Sequence, residues 1–526
     1  MKTSRTGASA EKAATEDVSM KRKGLCLGII LLVGVLLAGC APGKPAERVS
    51  VTWYMRDATS LHQNLKGIQA IEDAVGVDIV FQSPPEGSED AYKMMVASGN
   101  LPDVIMWNRS SGIDRMIEEG SAIELTSLIA QYAPNLTHIY QQRPEIRREA
   151  ATPDGRLYFF PSISPMLTED EICRKCYNGL IVRQDWLEKL GIAPPETIDD
   201  WYDMLVAFKT RDPNGNGLAD EIPFDGWGLP LFAPVFGVLS GFCVKTDGTV
   251  AFGPMEQEYK AFLETMNKWY AEGLIGSNSI LQSEAWKTAN ITNDIAGSFY
   301  GLDNAWRYYL PSLQEKTPDA RLLAVSWPKD SRGVRYTPRA DAATHLGDVI
   351  TIITSACKNP EAAVRLIDYM YSTAGGNYLG WGIEGETYEV ADGRKRLLPE
   401  ALEMEEDGYL KLYHYAIAHI QWPKYEGEIA VLQTYPEDQL VAERTWADAS
   451  TALIYPPAVR LSTEDNVRCN DIMNRIQSYF EEMQIRFITG EEPLSNFDAF
   501  VENLKRMGIE EVLAVYRKQY AEYQAK

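Results

Sequence analysis

Residues 212–221 carry an unusual density of oxygen-bearing side chains and read DPNGNGLADE. The acidic and amide side chains are Asp212, Asn214, Asn216, Asp220 and Glu221. In calcium-binding loops of the EF-hand type, side-chain oxygens come from positions 1, 3 and 5, and position 7 gives its carbonyl. Asp212, Asn214 and Asn216 hold positions 1, 3 and 5, and Leu218 holds position 7. The spacing therefore predicts a site for a hard cation.

One feature of this loop matches the EF-hand pattern and another departs from it. Gly217 lies at position 6, where the sharp turn needs glycine, but position 12 is Pro223 and not the usual glutamate. The sequence that follows does not resemble an outgoing helix, so Glu221 would have to replace the missing ligand. Oxygen ligands suit calcium better than zinc. The alternative is a polar turn without metal, because Asn-Gly favours turns. We expect structural calcium, with no catalytic work.

The overall composition excludes some functions. The chain has 526 residues and a net charge of −23, so it repels phosphate backbones and nucleic acid is not expected as a partner. The length predicts more than one domain. GxSxG, HExxH and P-loop motifs are absent from the sequence.

The N-terminus predicts export. Lys21, Arg22 and Lys23 precede an apolar run that ends in LAGC at Cys40. This ending resembles the lipobox of bacterial lipoproteins, which implies a signal peptide over 1–39 and a lipid on Cys40. The true start could be Met20. The alternative, a membrane-spanning anchor, needs about 20 apolar residues, more than this run supplies.

The spacing of the cysteines gives little evidence for a metal or redox site. Cys173 and Cys176 form one CxxC pair, and a single pair is weak evidence for zinc. An exported protein could form a disulfide there. Unpaired or locally bridged cysteines without chemistry are the favoured interpretation.

The chain alternates strand and helix patterns. Strands are predicted at 49–55, 76–81, 101–106, 179–183, 295–300 and 348–353, and helices at 68–75, 90–98, 184–190, 360–371 and 508–525. Thr197 and Asp200 predict a capped helix start. This rhythm predicts an α/β fold with a parallel sheet and crossover helices.

Several strings resemble the extracellular solute-binding proteins of bacterial sugar ABC transporters, in particular the long lipoprotein branch for oligosaccharides. They are GNLPDVIMW (99–107), LIVRQDWLEKLG (180–191), NPEAAVRLIDY (359–369), GWGIEGE (380–386) and GEEPL (490–494). A loop like 212–221 holds calcium in the alginate-oligosaccharide-binding members. The resemblance covers most of the chain after Cys40.

The resemblance implies the type II fold of periplasmic binding proteins, with two discontinuous lobes and a ligand cleft between them. After a tether at 40–48, the first lobe would comprise 49–165 and 325–382. The second would comprise 166–324, with the calcium loop, and a helical segment, 383–526. Chain crossings are expected near 160–180, 325 and 380.

Proteins bind sugars through flat aromatic side chains and polar groups held in fixed positions. Trp107 and Trp306 match positions that contact sugar in family members. Further candidates are Trp381 and Glu384 in the GWGIEGE string, Trp53, Trp227, Arg307 and Asp303. For each tryptophan the alternative is a core position. Trp186, Trp201 and Trp269 have helical spacing among apolar residues and are predicted to be core.

The favoured function is a monomeric, lipid-anchored receptor at the outer face of the cell membrane, which delivers an oligosaccharide to an ABC permease. An alternative is a sensor partner that presents its ligand to a membrane receptor. A third is a secreted glycoside hydrolase, which would need two carboxylates about 5–10 Å apart. No motif marks such a pair, so an enzyme is not expected.

Overall fold

The computed structural model describes most of the chain after residue 47. The described ranges are 48–56, 63–84, 89–108, 113–164, 177–225, 228–276, 284–405, 410–416, 422–425, 430–459, 461 and 463–525. The predicted signal segment, Cys40, Cys173, Cys176 and Trp227 lie outside these ranges. The described residues from Ser50 onward belong to one large body, Ser50–Lys526. Within the described ranges, every helix is too short or too polar to cross a membrane.

Twelve strands occur in the described ranges. They are β1 (Val49–Met55), β2 (Val77–Gln82), β3 (Val104–Asn108), β4 (Phe160–Ile163), β5 (Asn178–Arg183), β6 (Phe242–Val244), β7 (Val250–Phe252), β8 (Ser298–Leu302), β9 (Leu322–Val325), β10 (Leu346–Ile353), β11 (Tyr388–Ala391) and β12 (Arg394–Leu397).

The α-helices of the described ranges are α1 (Lys66–Val75), α2 (Glu89–Ser98), α3 (Ile113–Glu118), α4 (Thr126–Tyr132), α5 (Pro134–Gln142), α6 (Pro144–Ala150), α7 (Gln184–Leu190), α8 (Ile198–Thr210), α9 (Gln257–Ala271), α10 (Glu284–Thr292), α11 (Ala305–Tyr308), α12 (Leu310–Gln314), α13 (Pro360–Met370), α14 (Thr373–Gly380), α15 (Glu437–Ala447), α16 (Thr463–Thr489), α17 (Phe497–Met507) and α18 (Ile509–Gln524).

The first lobe is built on a five-stranded sheet with the order β2-β1-β3-β10-β4. The predicted parallel pairing holds between β1 and β3, where Trp53 lies opposite Val104. Strand β10 is antiparallel to both β3 and β4, so the sheet is mixed. This differs from the expected parallel sheet because β10 reaches the sheet from the second lobe and not through a local crossover helix.

The second lobe is built on a three-stranded sheet with the order β8-β5-β9, in which both pairings are antiparallel. The segment 222–225 adds parallel bridges, from Ile222 to Ala296 and from Asp225 to Phe299. Helices α7, α8 and α9 bury Trp186, Trp201 and Trp269 in the core of this lobe, which confirms the prediction that these three are core residues.

Two large hydrophobic cores define these lobes. The first core draws its residues from 51–163, from 346–379 and from Trp422. The second draws its residues from 180–275, from 325–327 and from 469–513. A further cluster on the second-lobe sheet contains Phe299 and Trp446. Each lobe is therefore assembled from stretches that are distant in sequence.

The three crossings between lobes meet at one place in the first lobe. The Ile163 N–H donates to the carbonyl of Lys424 (2.9 Å), and the Ser164 N–H donates to the carbonyl of His345 (2.9 Å). The first crossing leaves after Ser164, the second arrives at His345 and the third leaves near Tyr425. Backbone hydrogen bonds thus tie all three crossings together.

Two segments of the chain lie beside the predicted boundaries between the lobes. Just before and after 325, β9 completes the second-lobe sheet and Trp327 is buried in the second core. After 383, the chain makes contacts with the first lobe. There the Gly67 N–H donates to Tyr415 (2.9 Å), Lys66 pairs with Glu386 (2.8 Å) and Trp422 joins the first core.

Candidate functional site

The loop 212–221 begins directly after α8, whose start is fixed by the predicted capping box. The Thr197 hydroxyl accepts a hydrogen bond from the backbone N–H of Asp200 (3.2 Å), and the Asp200 carboxylate accepts from the N–H of Thr197 (2.9 Å). The chain then turns at Asp212, which adopts a positive φ of 42°. The start of this helix is therefore specified by local polar contacts.

Side-chain oxygens organise the loop by accepting from its own backbone. The Asp212 carboxylate accepts from the N–H groups of Gly215 (2.8 Å) and Gly217 (3.1 Å). The amide oxygen of Asn214 accepts from the N–H of Asn216 (3.0 Å), and that of Asn216 accepts from Leu218 (2.7 Å). Gly215 and Gly217 have φ values of 75° and 78°, which side chains with a Cβ rarely adopt.

The acidic end of the loop is short of positive charge. Asp220 accepts from the side-chain amide of Asn216 (3.1 Å). Burial raises the pKa of Glu221, and the neighbouring carboxylates Asp212, Asp220 and Asp294 raise it further. One oxygen of Glu221, Oε1, is buried and has no hydrogen-bond partner within the described ranges. Asp294 is paired with the guanidinium of Arg183, whereas no ion pair of Asp220 or Glu221 occurs within the described ranges.

These residues fit a calcium ion in the kind of donor they offer. Within the described part of the chain, no group of three or more Cys, His, Asp or Glu side chains is close enough to hold a metal. The predicted donor set includes two asparagine side chains and the Leu218 carbonyl, which such a group would not contain. The buried, unpartnered Glu221 oxygen and the raised pKa are what a cation would relieve.

The loop does not continue as an EF-hand. After Glu221 the chain forms bridges from Ile222 to Ala296 and from Phe224 to Ile275, so it leaves as an extended segment of the second-lobe sheet. Lys189 donates to the Pro213 carbonyl (2.6 Å), and Asn214 donates to the Asp294 carbonyl (3.2 Å). The loop therefore joins α7, α8 and the sheet edge.

Two sugar-contact candidates of the first lobe lie in its core. Trp107 is buried and stacks on Tyr92, with ring centroids 4.4 Å apart and an angle of 7°. Trp53 is buried against Trp422, with centroids 5.9 Å apart. The indole N–H groups of Trp53 and Trp422 find no acceptor among the described residues. Both candidates pack against protein side chains, and their contact with sugar stays a prediction.

The candidates of the second lobe divide into buried and exposed ones. Trp306 is only 8% exposed, and its indole N–H donates to the carbonyl of Leu322 (3.1 Å). Asp303 is buried and accepts from the side chain of Gln439 (2.9 Å). Arg307 is exposed. Trp306 and Asp303 thus have protein partners that hold helices α11 and α15 in place.

The remaining candidates lie apart from these. Trp381 is buried at the end of α14, 5.7 Å from the ring of Tyr388, and the ammonium of Lys395 lies 5.3 Å from its ring. Glu384 is exposed in the turn before β11. Trp227 is outside the described ranges. Three cysteines of the described part, Cys243, Cys357 and Cys469, are free thiols.

Sequence reasoning missed two exposed aromatic residues of the second lobe. Trp286 is 55% exposed on α10, and Tyr308 is 64% exposed on α11. Of the tryptophans in the described ranges, Trp286 alone is exposed. Its position near the start of a helix gave no signal, because Ala289 is the one apolar residue three or four positions from Trp286, which does not define a core face.

A scan against protein-family models matches residues 64–377 to the family described as bacterial extracellular solute-binding protein. This match covers more than half of the chain. The protein therefore belongs to the bacterial extracellular solute-binding protein family, as the resemblance of its strings predicted.

Two curated relatives extend the likeness over nearly the whole chain. The fructooligosaccharide ABC transporter substrate-binding protein FusA of Streptococcus pneumoniae serotype 4 is 26% identical over 482 residues, 87% of each chain. Lipoprotein LipO of Bacillus subtilis is 23% identical over 538 residues, 96% of this chain and 99% of its own. Both relatives match across the lobes and not in one of them alone.

Solved structures of similar fold include FusA in complex with kestose, with a TM-score of 0.68, 24% identity and coverage of 90% of this chain and 99% of that one. An EF-hand mutant of FusA matches equally, with 23% identity. The alginate-binding protein AlgQ2 without calcium ion has a TM-score of 0.66, 21% identity and coverage of 91% and 99%. The type II periplasmic-binding-protein fold is thereby confirmed.

Proposed function

We propose that this protein captures an oligosaccharide between its two lobes and delivers it to the permease of an ABC transporter. The observation that carries the proposal is a body with two separate cores joined by three crossings that meet at Ile163, His345 and Lys424. Such a hinge lets one lobe rotate against the other. A ligand that contacts both lobes then favours the closed form by its differential affinity.

Similarity to FusA supports an oligosaccharide as the ligand, with fructose-based chains as the first class to test. The predicted contacts are Trp53, Trp107, Trp227, Asp303, Trp306, Arg307, Trp381 and Glu384. Binding requires neither bond formation nor bond cleavage, and FusA is a substrate-binding protein by name, so we infer a receptor and not an enzyme. A monomer is sufficient, because one chain supplies both lobes.

We further propose that loop 212–221 binds a structural calcium ion. Its ligands would be the side chains of Asp212, Asn214, Asn216, Asp220 and Glu221 and the carbonyl of Leu218. The neighbours include an EF-hand mutant of FusA and a calcium-free AlgQ2, which supports the assignment. The ion would neutralise the carboxylates around Glu221 and hold α8 against the sheet.

The similarity to LipO, a lipoprotein by name, supports attachment of the protein to the outer face of the membrane by a lipid on Cys40. The predicted tether, 40–48, would separate the anchor from the two lobes. Cleavage before Cys40 and labelling of the protein with a radioactive fatty acid would test this assignment, with Cys40→Ala as the control that loses the label.

Calorimetric titration of the protein with kestose, fructo-nystose and an alginate oligosaccharide tests the main proposal. We expect binding of at least one sugar, and small-angle scattering should show a smaller radius of gyration in the complex. Chromatography of the sugar after prolonged incubation should recover it intact. Absence of binding across the panel, or cleavage of the sugar, would contradict the proposed function.

A further inference from the structure

One edge of the second-lobe sheet collects the ends of parallel segments. The bridges from Ile222 to Ala296 and from Asp225 to Phe299 run parallel, as does the bridge from Phe224 to Ile275. These segments therefore end at the same edge as β8, which stops at Leu302. Ligands of open α/β sheets bind outside the carboxyl ends of parallel strands. We refer to this side, at the end of β8, as the carboxyl edge.

All three crossings from the first lobe reach the carboxyl edge. The first arrives at Tyr177, whose carbonyl accepts from the N–H of Asp303 (2.7 Å). The second brings Arg339, whose guanidinium lies 4.7 Å from the ring of Tyr177. The third leads to α15, where Gln439 donates to Asp303 (2.9 Å). Because the chain passes between lobes at this point, the carboxyl edge faces the interlobe space.

Two exposed aromatic side chains lie on adjacent helices at this edge. The Tyr309 hydroxyl donates to Glu284 (2.7 Å), which places the start of α10 beside the end of α11. Trp286 follows Glu284 by two residues, and Tyr308 precedes Tyr309. They are 55% and 64% exposed, whereas Trp306 on the same short helix is 8% exposed.

Residues of α11 have two different roles: Trp306 packs against the protein, and Arg307 and Tyr308 are exposed to solvent. Trp306 donates its indole N–H to Leu322 and lies 6.4 Å from the ring of Trp446, so it fixes α11 on the sheet and on α15. Arg307 and Tyr308 follow it on the exposed side of the helix. The buried tryptophan thus orients a polar and aromatic surface toward solvent.

We propose that Trp286 and Tyr308 form the platform of the second lobe on which a ring of the bound oligosaccharide stacks, with Arg307 donating to its hydroxyl groups. This inference rests on the proposed function. A sugar ring has an apolar face and a hydroxyl rim, and aromatic rings beside a charged donor match both parts. The Arg307 guanidinium can donate to the hydroxyl groups of a neutral sugar such as a fructose-based chain.

Calorimetric titration of the full chain with kestose tests the platform. The double variant Trp286→Ala, Tyr308→Ala should raise Kd by about tenfold or more, as expected for central aromatic contacts. The matched double variant Trp286→Phe, Tyr308→Phe keeps two rings and should remain within about threefold of the wild type. Val467→Ala, an exposed apolar residue of α16, is the control for surface truncation.

The outcomes separate the platform from the proposed function. If the wild type binds kestose and the double alanine variant binds equally well, the platform is wrong while the receptor function stands. If the wild type binds neither kestose nor the other sugars of the panel, both proposals fail. Because both residues are exposed, the double alanine variant should keep the melting temperature of the wild type. Any loss of affinity is then due to the missing rings and not to unfolding.

Discussion

Two carboxylates in the two lobes have opposite environments. Glu149 on α6 is buried in the first lobe and accepts from the Thr344 hydroxyl (2.7 Å), the His345 N–H (2.9 Å) and the His345 ring Nδ1 (2.6 Å). Glu221 in the second lobe lies among other carboxylates and has a buried oxygen without a partner in the described ranges.

The pKa shifts of the two groups have opposite signs. Burial works against ionisation of Glu149, but the hydrogen bonds from His345 and Thr344 outweigh it, so its pKa lies below the ordinary value. Burial raises the pKa of Glu221, and neighbouring carboxylates raise it further. Side chains of the protein stabilise the ionised form of Glu149, whereas ionised Glu221 would be stabilised by a cation from solution.

The different environments of the two carboxylates match the structural roles of the two regions. Glu149 holds Thr344 and His345 at the point where the second crossing enters the first lobe, next to the backbone hydrogen bond from Ser164 to His345. On the same helix lies Glu145, whose pKa is lowered chiefly by the hydrogen bond from Arg143. A hinge must remain anchored whatever the supply of calcium, whereas a surface loop need not.

The largest expected effect comes from removing the anchored carboxylate. Glu149→Ala leaves the donors of Thr344 and His345 without their buried acceptor, and we expect a loss of about 3–5 kcal/mol of unfolding free energy. Chemical denaturation followed by circular dichroism measures it. The control is Glu361→Ala, which removes an exposed carboxylate paired with Arg365 (3.0 Å) and should cost under about 0.5 kcal/mol. Equal losses in both variants would remove the distinction.

Calcium should act on the other carboxylate cluster. At a free concentration of one hundred times Kd, calcium should add about 2.7 kcal/mol to the unfolding free energy. Thermal unfolding with calcium, with magnesium and with chelator measures the shift. Asp212→Asn should abolish it, whereas Asp247→Asn, in a turn where Asp247 accepts from Thr249 (2.9 Å), should leave it intact. A melting temperature indifferent to chelator would contradict the calcium assignment.

Local patterns predicted the elements well because their causes are local. Helix α7 has the predicted bounds, and the capping box of Thr197 and Asp200 forms as expected. These features depend on residues within a few positions of each other. The oxygen spacing of loop 212–221 also lies within ten residues, so a cation site could be predicted from it.

Long-range pairing was not predictable in the same way. Glu149 and His345 are separated by 196 positions, and neither lies in a recognisable motif. The exposure of Tyr308 and the burial of Trp306 depend on β9, whose Leu322 carbonyl accepts the indole N–H. The sheet that β9 joins was not predictable for the same reason, since a pattern does not reveal which sheet a strand will join.

Lowering the pH should reduce the difference in unfolding free energy between the wild type, which has a carboxylate at position 149, and a variant with a neutral side chain there. A group whose folded pKa is lowered contributes stability above its unfolded pKa, and this contribution is lost as the pH falls toward the folded value. The stability gap between the wild type and Glu149→Gln should therefore be full at neutral pH and shrink below about pH 4.5, the ordinary value for glutamate. Denaturation at a series of pH values measures the gap. A gap that stays constant down to pH 3 would mean that the charge of Glu149 contributes nothing beyond its shape, and the two carboxylates would then differ in packing alone.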